Sequence, residues 1–249
     1  MEVIYEDNHL LVVNKPALLA TMGVTEGTAS VVTEAKRYLK QKYQKPGNVY
    51  LGVVSRLDTG VSGVLVLART SKAAARLTEQ FRESKAEKTY WAAVEQAPPK
   101  SEDALTHWLL KSEKLRRMTV VKSHSTGAQR ARLSYRVLQT VRQATLLEVS
   151  LETGRKHQIR VHLASEGHPI LGDALYGMRG GPAVPGYDLL PKGGHERYSL
   201  QLHCWRESFV HPVTGEKISV TAPVPESFCQ LFGGREIERA LAAWESRKR

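Results

Sequence analysis

Apolar positions along this chain fall in short runs whose spacing changes from segment to segment. EVIYEDNHLLVVNKP holds two short β-rich runs around a polar EDNH turn and stops at Pro16. Residues 18 to 28 read as loop. From Ser30, the positions Val31, Val32, Ala35, Tyr38, Leu39 and Tyr43 recur at helical spacing with lysines opposite, and the pattern ends before Pro46 and Gly47. VYLGVV and GVLVLA predict strands of the kind that lie inside a sheet. SKAAARLTEQFRES predicts a helix capped by Ser71, with Ala74, Ala75, Leu77 and Phe81 inward. KTYWAAVE is a strand, and Pro98 and Pro99 mark a loop.

From 105 to 152 the chain reads mostly as strands joined by basic turns; in ARLSYRVL and ATLLEVSLE apolar and polar positions alternate, as in half-buried strands. TGRKHQIRVHLASEG passes from loop into helix and stops at Gly167. Residues 172 to 194 are loop-rich and read as mobile. SLQLHCWRESFV and EKISVTAP form two strands about the turn HPVTG. PESFCQLF is a short helix, and residues 235 to 249 form a last helix with a basic end, RKR. No internal repeat appears. Strands and helices mix without regular βαβ alternation, which predicts an α+β fold with a large mixed or antiparallel sheet flanked by helices and loops.

Composition narrows the function. With 249 residues, 41% hydrophobic and 24% charged, the chain has the make-up of an ordinary globular protein. Its apolar runs are far shorter than the roughly 20 residues of a membrane span. The acidic start MEVIYEDNHLL does not read as a secretory signal. Cys204 and Cys229 alone make a disulfide scaffold or cysteine metal site a poor reading, so a reducing cytoplasm is expected. The net charge of +11 is uneven: residues 111 to 142 hold nine Lys or Arg against the single acid Glu113. That excess points to a polyanionic partner, most simply a nucleic acid. Lys114, Arg116, Arg117 and Arg130 are the candidate backbone contacts.

The stretch VVSRLDTGVSG sets a carboxylate between apolar runs. Glycines 60 and 63 permit a sharp turn and close backbone approach. If Asp58 lies partly out of water, burial raises its pKa unless a cation answers it, so the position demands a nearby guanidinium. A carboxylate held ionised in that way can serve as nucleophile or base. A plain turn aspartate capping backbone amides is the alternative. The Asp-Thr-Gly triplet also occurs in aspartic proteases, but the chain holds no second DTG or DSG. In TGRKHQIRVHL, Lys156 and Arg160 would share a helix face. That helix's first turn would suit a phosphate or the Asp58 carboxylate, or simply form a basic amphipathic helix. Tyr90 reads as a core ring or as one that stacks on a base.

Five segments in order resemble the RluA-type family of pseudouridine synthases: LLVVNKP, VVSRLDTGVSGVLVLART, KTYWAAV, TGRKHQIRVHLASEGHPILGDALYG, and LHCWRESFVHPVTGEKISVTAPVPESF. The resemblance spans roughly residues 3 to 232. It implies the pseudouridine synthase fold with a central RNA-binding cleft, and one catalytic domain over 1–234 followed by a basic helix or tail over 235–249. It implies isomerisation of uridine in ribosomal or transfer RNA, with no metal or organic cofactor. Asp58 takes the place of the catalytic aspartate, acting by covalent addition or by proton abstraction to a glycal. Arg160 takes that of its arginine partner, Tyr90 that of the ring against the uracil, and Arg56 that of the arginine entering the stack the base has left. The catalytic match begins at the first strand, so no N-terminal RNA-binding appendage is expected. Two positions depart from the pattern: Ser55 stands where histidine is usual, and Val61 where threonine is. A non-catalytic RNA-binding protein of the same fold is the alternative, and a monomer is expected for want of a long apolar seam.

Overall fold

The computed structural model describes residues 1–25, 27–142, 144–177 and 200–246. The elements in chain order begin with β1 (Glu2–Glu6), β2 (Leu10–Lys15), α1 (Val31–Lys42), β3 (Gly52–Val53), β4 (Ser62–Ala68) and α2 (Ser71–Arg82). They continue with β5 (Glu87–Val94), β6 (Glu102–Ser112), β7 (Arg117–Val121), β8 (Gln129–Val141), β9 (Ala144–Leu151) and α3 (Gln158–Ser165). The last are β10 (Leu202–Val210), β11 (Lys217–Thr221), α4 (Glu226–Phe232) and α5 (Gly234–Ser246). This is the α+β composition the sequence predicts, and the pairings β1–β2, β2–β4, β3–β4, β6–β7, β6–β8, β8–β9 and β10–β11 are antiparallel. Of the mobile loop expected over 172–194, residues 178–194 lie outside the described residues, as does the RKR end. No described helix is long and apolar enough to cross a membrane. The chain divides into two compact units, Met1–Thr89 with Cys204–Pro223, and Tyr90–His203 with Val224–Arg249.

In the first unit the strand order is β1, β2, β4, β10, with β11 on β10 and β3 on β4. Strand β2 is inner because its apolar run leaves nothing to solvate: Leu10, Leu11, Val12 and Val13 are all fully buried. Each such side chain contributes about 1.5–3 kcal/mol. The EDNH turn is made by Asp7, whose Oδ1 accepts from the N–H of His9 and of Leu10, both at 2.7 Å. Asp7 Oδ2 also accepts a hydrogen bond from Nε2–H of His211 at 2.8 Å. Nδ1 of that ring accepts from the Val213 and Thr214 amides, so the HPVTG turn is fixed to the first hairpin.

Helix α1 begins where predicted: Ser30 caps it reciprocally with Thr33, and Val31, Ala35 and Leu39 form the buried stripe. Helix α2 differs in register. Its cap is Thr70, whose hydroxyl accepts from the Ala73 amide at 3.2 Å, so Ser71 is the first helical residue. The inward positions are then Ala73 and Leu77, with Phe81 half-buried one turn on, and Ala75 faces solvent. VYLGVV also falls short of prediction. Only Gly52 and Val53 pair, with Ala68 and Leu67 of β4. Beyond Val54 the backbone finds a side chain instead of a strand: Leu57 N–H donates to Thr21 Oγ1, and that hydroxyl donates to Leu57 O at 2.8 Å.

In the second unit the order is β5, β9, β8, β6, β7. Strands β6 and β7 form a hairpin closing at Ser112 and Arg117, and β8 carries an irregularity between Val137 and Gln139. Leu109, Met118, Ala131, Val161 and Tyr176 make one apolar cluster, which seats α3 on β6, β7 and β8. Helix α4 buries Phe228 and Phe232, and α5 buries Ile237.

Candidate active site

The first unit positions Asp58. Pinned at Leu57, the chain makes a tight turn in which the Val61 amide donates to Asp58 O at 3.0 Å. The residue following this turn region, Gly63, has φ +112°, and a Cβ there would lie 2.2 Å from the Cys204 carbonyl oxygen. Only glycine permits β4 to run that close to β10. Asp58 is half-buried and Arg56 is exposed. Val61, which replaces the usual threonine, is buried, and its backbone makes the turn bond without a hydroxyl.

Beneath this turn lies a residue the sequence reading did not single out. Lys15, the last residue of β2, is completely buried. Its Nζ donates to the carbonyls of Pro16 (2.8 Å), Leu19 (2.6 Å) and Thr59 (3.1 Å). Burial disfavours the ammonium and pushes its pKa down to about 8, against the opposing pull of the Asp58 carboxylate. The available signal was a lone lysine ending an otherwise apolar strand.

The second unit positions Arg160 and Tyr90. Tyr90 is buried in β5. Helix α3 starts at Gln158, not earlier; His157 before it is left-handed at φ 54°. Lys156 therefore lies outside the helix and does not share a face with Arg160, contrary to the spacing argument. The entry to α3 is locked by Gln158. Its Oε1 accepts from Thr153 Oγ1 (2.8 Å) and Arg155 N (3.0 Å), and its Nε2 donates to Arg132 O (2.9 Å). One turn inside, the Arg160 guanidinium is gripped side-on by Asp173, Nε to Oδ2 and Nη2 to Oδ1, both at 2.8 Å. Asp173 Oδ1 also accepts from the Leu175 and Tyr176 amides at 3.0 Å. Burial alone would raise the Asp173 pKa; the Arg160 hydrogen bonds and charge and the two amides outweigh it and hold the carboxyl below its ordinary range. The Tyr176 ring lies 5.1 Å from the Arg160 guanidinium, and its hydroxyl meets His157 Nδ1 at 2.8 Å. Asp173 was not foreseen either. Its sequence signal was a Gly-Asp pair whose aspartate stands 13 residues beyond Arg160.

The basic segment sorts into two kinds. Lys111, Arg132 and Arg136 pair on the surface with Glu113, Glu152 and Glu102. Lys114, Arg116 and Arg130 are exposed and meet no acid among the described residues; the first two sit at the tip of the β6–β7 hairpin. Arg117 is committed inward: Nη1 donates to Leu175 O at 3.0 Å, and its guanidinium lies over the Tyr176 ring.

One further group on α3 makes the unit acid-sensitive. His162 is fully buried, and neither ring nitrogen has a hydrogen-bond partner among the described residues. It stands edge-to-face with His107 at 4.6 Å, and His107 Nε2 lies 3.0 Å from Glu166. Burial, and secondarily the neighbouring His107, push its pKa from 6.5 down to about 3. Folding therefore requires the neutral ring. Its contribution is complete above pH 6.5 and falls by about 1.4 kcal/mol per pH unit as pH drops towards 3. In denaturant titrations between pH 7.5 and 4.5, a His162→Phe variant should lose this one-proton component of the slope.

Comparison with known proteins identifies the family. The family model described as RNA pseudouridylate synthase matches residues 9–165. The ribosomal large subunit pseudouridine synthase D of Zymomonas mobilis subsp. mobilis is 35% identical over 234 residues, 93% of this chain and 72% of that protein. The ribosomal large subunit pseudouridine synthase C of Buchnera aphidicola subsp. Acyrthosiphon pisum is 34% identical, covering 91% of this chain and 68% of that protein. Among solved structures, human RNA pseudouridylate synthase domain containing 4 superposes with a TM-score of 0.77 at 28% identity, over 92% of this chain and 90% of that one. The Asp58 turn and the Arg160 helix both lie inside the matched residues, and the chain belongs to the RNA pseudouridylate synthase family, of the RluA type: it is an isomerase that turns uridine in RNA into pseudouridine.

Proposed function

We propose that this enzyme modifies specific uridines of large-subunit ribosomal RNA, with Asp58 as the group that starts the reaction. The RNA assignment is supported by the names its relatives carry. The assignment of Asp58 is carried by one observation above the others: the RLDTG carboxylate is half-buried at the head of a tight turn, above a buried ammonium. In the isomerisation the N1–C1′ bond breaks, the uracil rotates and a C5–C1′ bond forms. C5 gives up a proton and N1 gains one, so no oxidant or cofactor enters the balance. The covalent and glycal routes both begin from an ionised Asp58, and Arg160 is the cation assigned to the reaction.

The target uridine must leave its stack first, at a cost of a few kcal/mol. Tyr90 stacking on the freed base returns about 1–3 kcal/mol. Arg56, exposed beside Asp58, enters the vacancy. Lys114, Arg116 and Arg130 hold the distorted backbone, while Arg117 supports the hairpin from within. Residues 1–234 act together as the catalytic module, with 235–249 appended to it. The protein works as a monomer in the cytoplasm.

Mapping pseudouridine in cellular RNA with and without the gene tests the assignment: sites lost from large-subunit ribosomal RNA support it, and losses confined to transfer RNA overturn it. Charge reversal at Lys114 and Arg116 should lower the salt slope of RNA binding by about 0.7–0.9 per phosphate contact removed. The same reversal at Lys111, already paired with Glu113, should change it little.

A further inference from the structure

Single exposed apolar side chains scattered over a surface are ordinary, but two of them here stand together on a fixed support. Leu18, 58% exposed, is the most exposed large apolar side chain among the described residues, and Met22, four positions on, is 48% exposed. The segment that carries them is tied down on two sides. The Ala20 and Thr21 carbonyls accept from the Val31 and Val32 amides that open α1. The Thr21 hydroxyl bonds both the N–H and the carbonyl of Leu57, and the Leu19 and Thr59 carbonyls accept from one ammonium, at 2.6 and 3.1 Å. These two cross-links, 19 with 59 and 21 with 57, set the segments antiparallel. Ala20 thereby comes level with Asp58, and Met22 with Arg56. Burial follows the same order: Thr21 and Leu57 are buried, while Leu18, Met22 and Arg56 are exposed. Leu18 also holds a left-handed backbone, φ 65°, which leucine rarely adopts and which persists only where the surroundings enforce it. Polar side chains would suit a rim that meets only water. An apolar pair beside Arg56 suits a flat apolar surface, and RNA bares such a surface when a base leaves its stack.

We propose that Leu18 and Met22 form an apolar wedge that packs on the bases flanking the target uridine once it has left the stack. The inference rests on the assignment of Asp58 and Arg56 made above, since those residues set where the uridine is received. Arg56 enters the vacancy, and the wedge covers base faces that water would otherwise meet. The contact exists only after flipping, so it favours the flipped RNA over the stacked one. Every base has a flat apolar face, so the wedge reads no sequence and tolerates any neighbour. It also carries no charge, which separates its part in binding from that of the phosphate contacts.

The test is single-turnover pseudouridine formation on an RNA hairpin cut around a uridine whose modification is lost without the gene. The hairpin is made in two forms, one with its natural bases and one with both neighbours of the target replaced by abasic ribose. The enzymes are wild type, the double variant Leu18→Asn, Met22→Gln, and Asp58→Asn. Asparagine tolerates the left-handed backbone and glutamine keeps the length of methionine, so the fold should hold. On the natural hairpin the double variant should be slower by roughly tenfold, with an unchanged salt slope of binding. On the abasic hairpin it should match wild type, because the faces the wedge covers are gone. A folded double variant as fast as wild type on the natural hairpin, or slower by the same factor on both, overturns the proposal. Should the pair misfold, Met22→Gln alone is read in the same way. Asp58→Asn separates the two readings: inactive Asp58→Asn with a double variant at the wild-type rate removes the wedge only, whereas active Asp58→Asn removes the assignment beneath it.

Discussion

Arg160→Met is expected to lose both stability and turnover, and the two losses should part company when Asp173 is changed as well. The guanidinium and the carboxylate are nearly or wholly withdrawn from solvent, with Nε and Oδ2 2.8 Å apart. Removing the cation leaves a carboxylate with two amide donors and no counter-charge from the arginine, and breaking such a pair typically costs about 3–5 kcal/mol. The loss should shrink as pH falls. In wild type the Asp173 carboxyl is held below its ordinary range, so its contribution is present at neutral pH and lost only in strong acid. Without Arg160, burial pushes that carboxyl up, and it accepts a proton at a milder pH than before. The double variant Arg160→Met, Asp173→Asn removes both charges and should regain most of the stability. Turnover should stay on the order of a hundredfold or more below wild type in both, because Arg160's positive charge is absent from each. Denaturant titration and single-turnover kinetics on the same samples check this. Recovery of turnover with stability would mean that Arg160 serves the fold alone.

How far the residues announce this arrangement depends on the range of the interactions. Ser30 and Thr33 cap α1 within four residues of chain, and the unbroken apolar run of β2 has no solvent-facing phase, so both elements are legible locally. Helix α2 was legible as a helix but not in register. Thr70 and Ser71 are both good caps, and it is the Thr70 hydroxyl that accepts from the Ala73 amide. LGVV looked like an inner strand because apolarity marks burial, not pairing. Leu57 is buried, yet its backbone is satisfied by Thr21, 36 residues earlier.

In the site the same divide holds. Asp58 could be picked out because a carboxylate set between apolar runs is a conspicuous residue type, and Arg160 through the resemblance of TGRKHQIRVHL to the family. Lys15 and Asp173 could not, since what makes them matter is their own burial and a partner 44 and 13 residues away. Arg116 and Arg117 are adjacent and chemically identical. The hairpin turn exposes one, while the first position of β7 sends the other to the Leu175 carbonyl.

The largest effect belongs to Asp58. Replacing it by alanine should lower turnover by on the order of a thousandfold or more, the upper part of the range for a group that transfers a proton or attacks directly. RNA affinity should stay within about tenfold, or 1.4 kcal/mol, because phosphate contacts and base stacking are made by other residues. Asp58→Asn keeps the shape of the turn and should be as inactive as alanine, since the Asp58–Val61 bond uses backbone atoms only.

Release of tritium from RNA carrying uridine labelled at C5 measures the reaction at the bond that must break. Wild-type enzyme should set the label free in water, while Asp58→Asn, at a concentration that saturates the same RNA, should leave it in place. Label released by Asp58→Asn at the wild-type rate would contradict the central assignment.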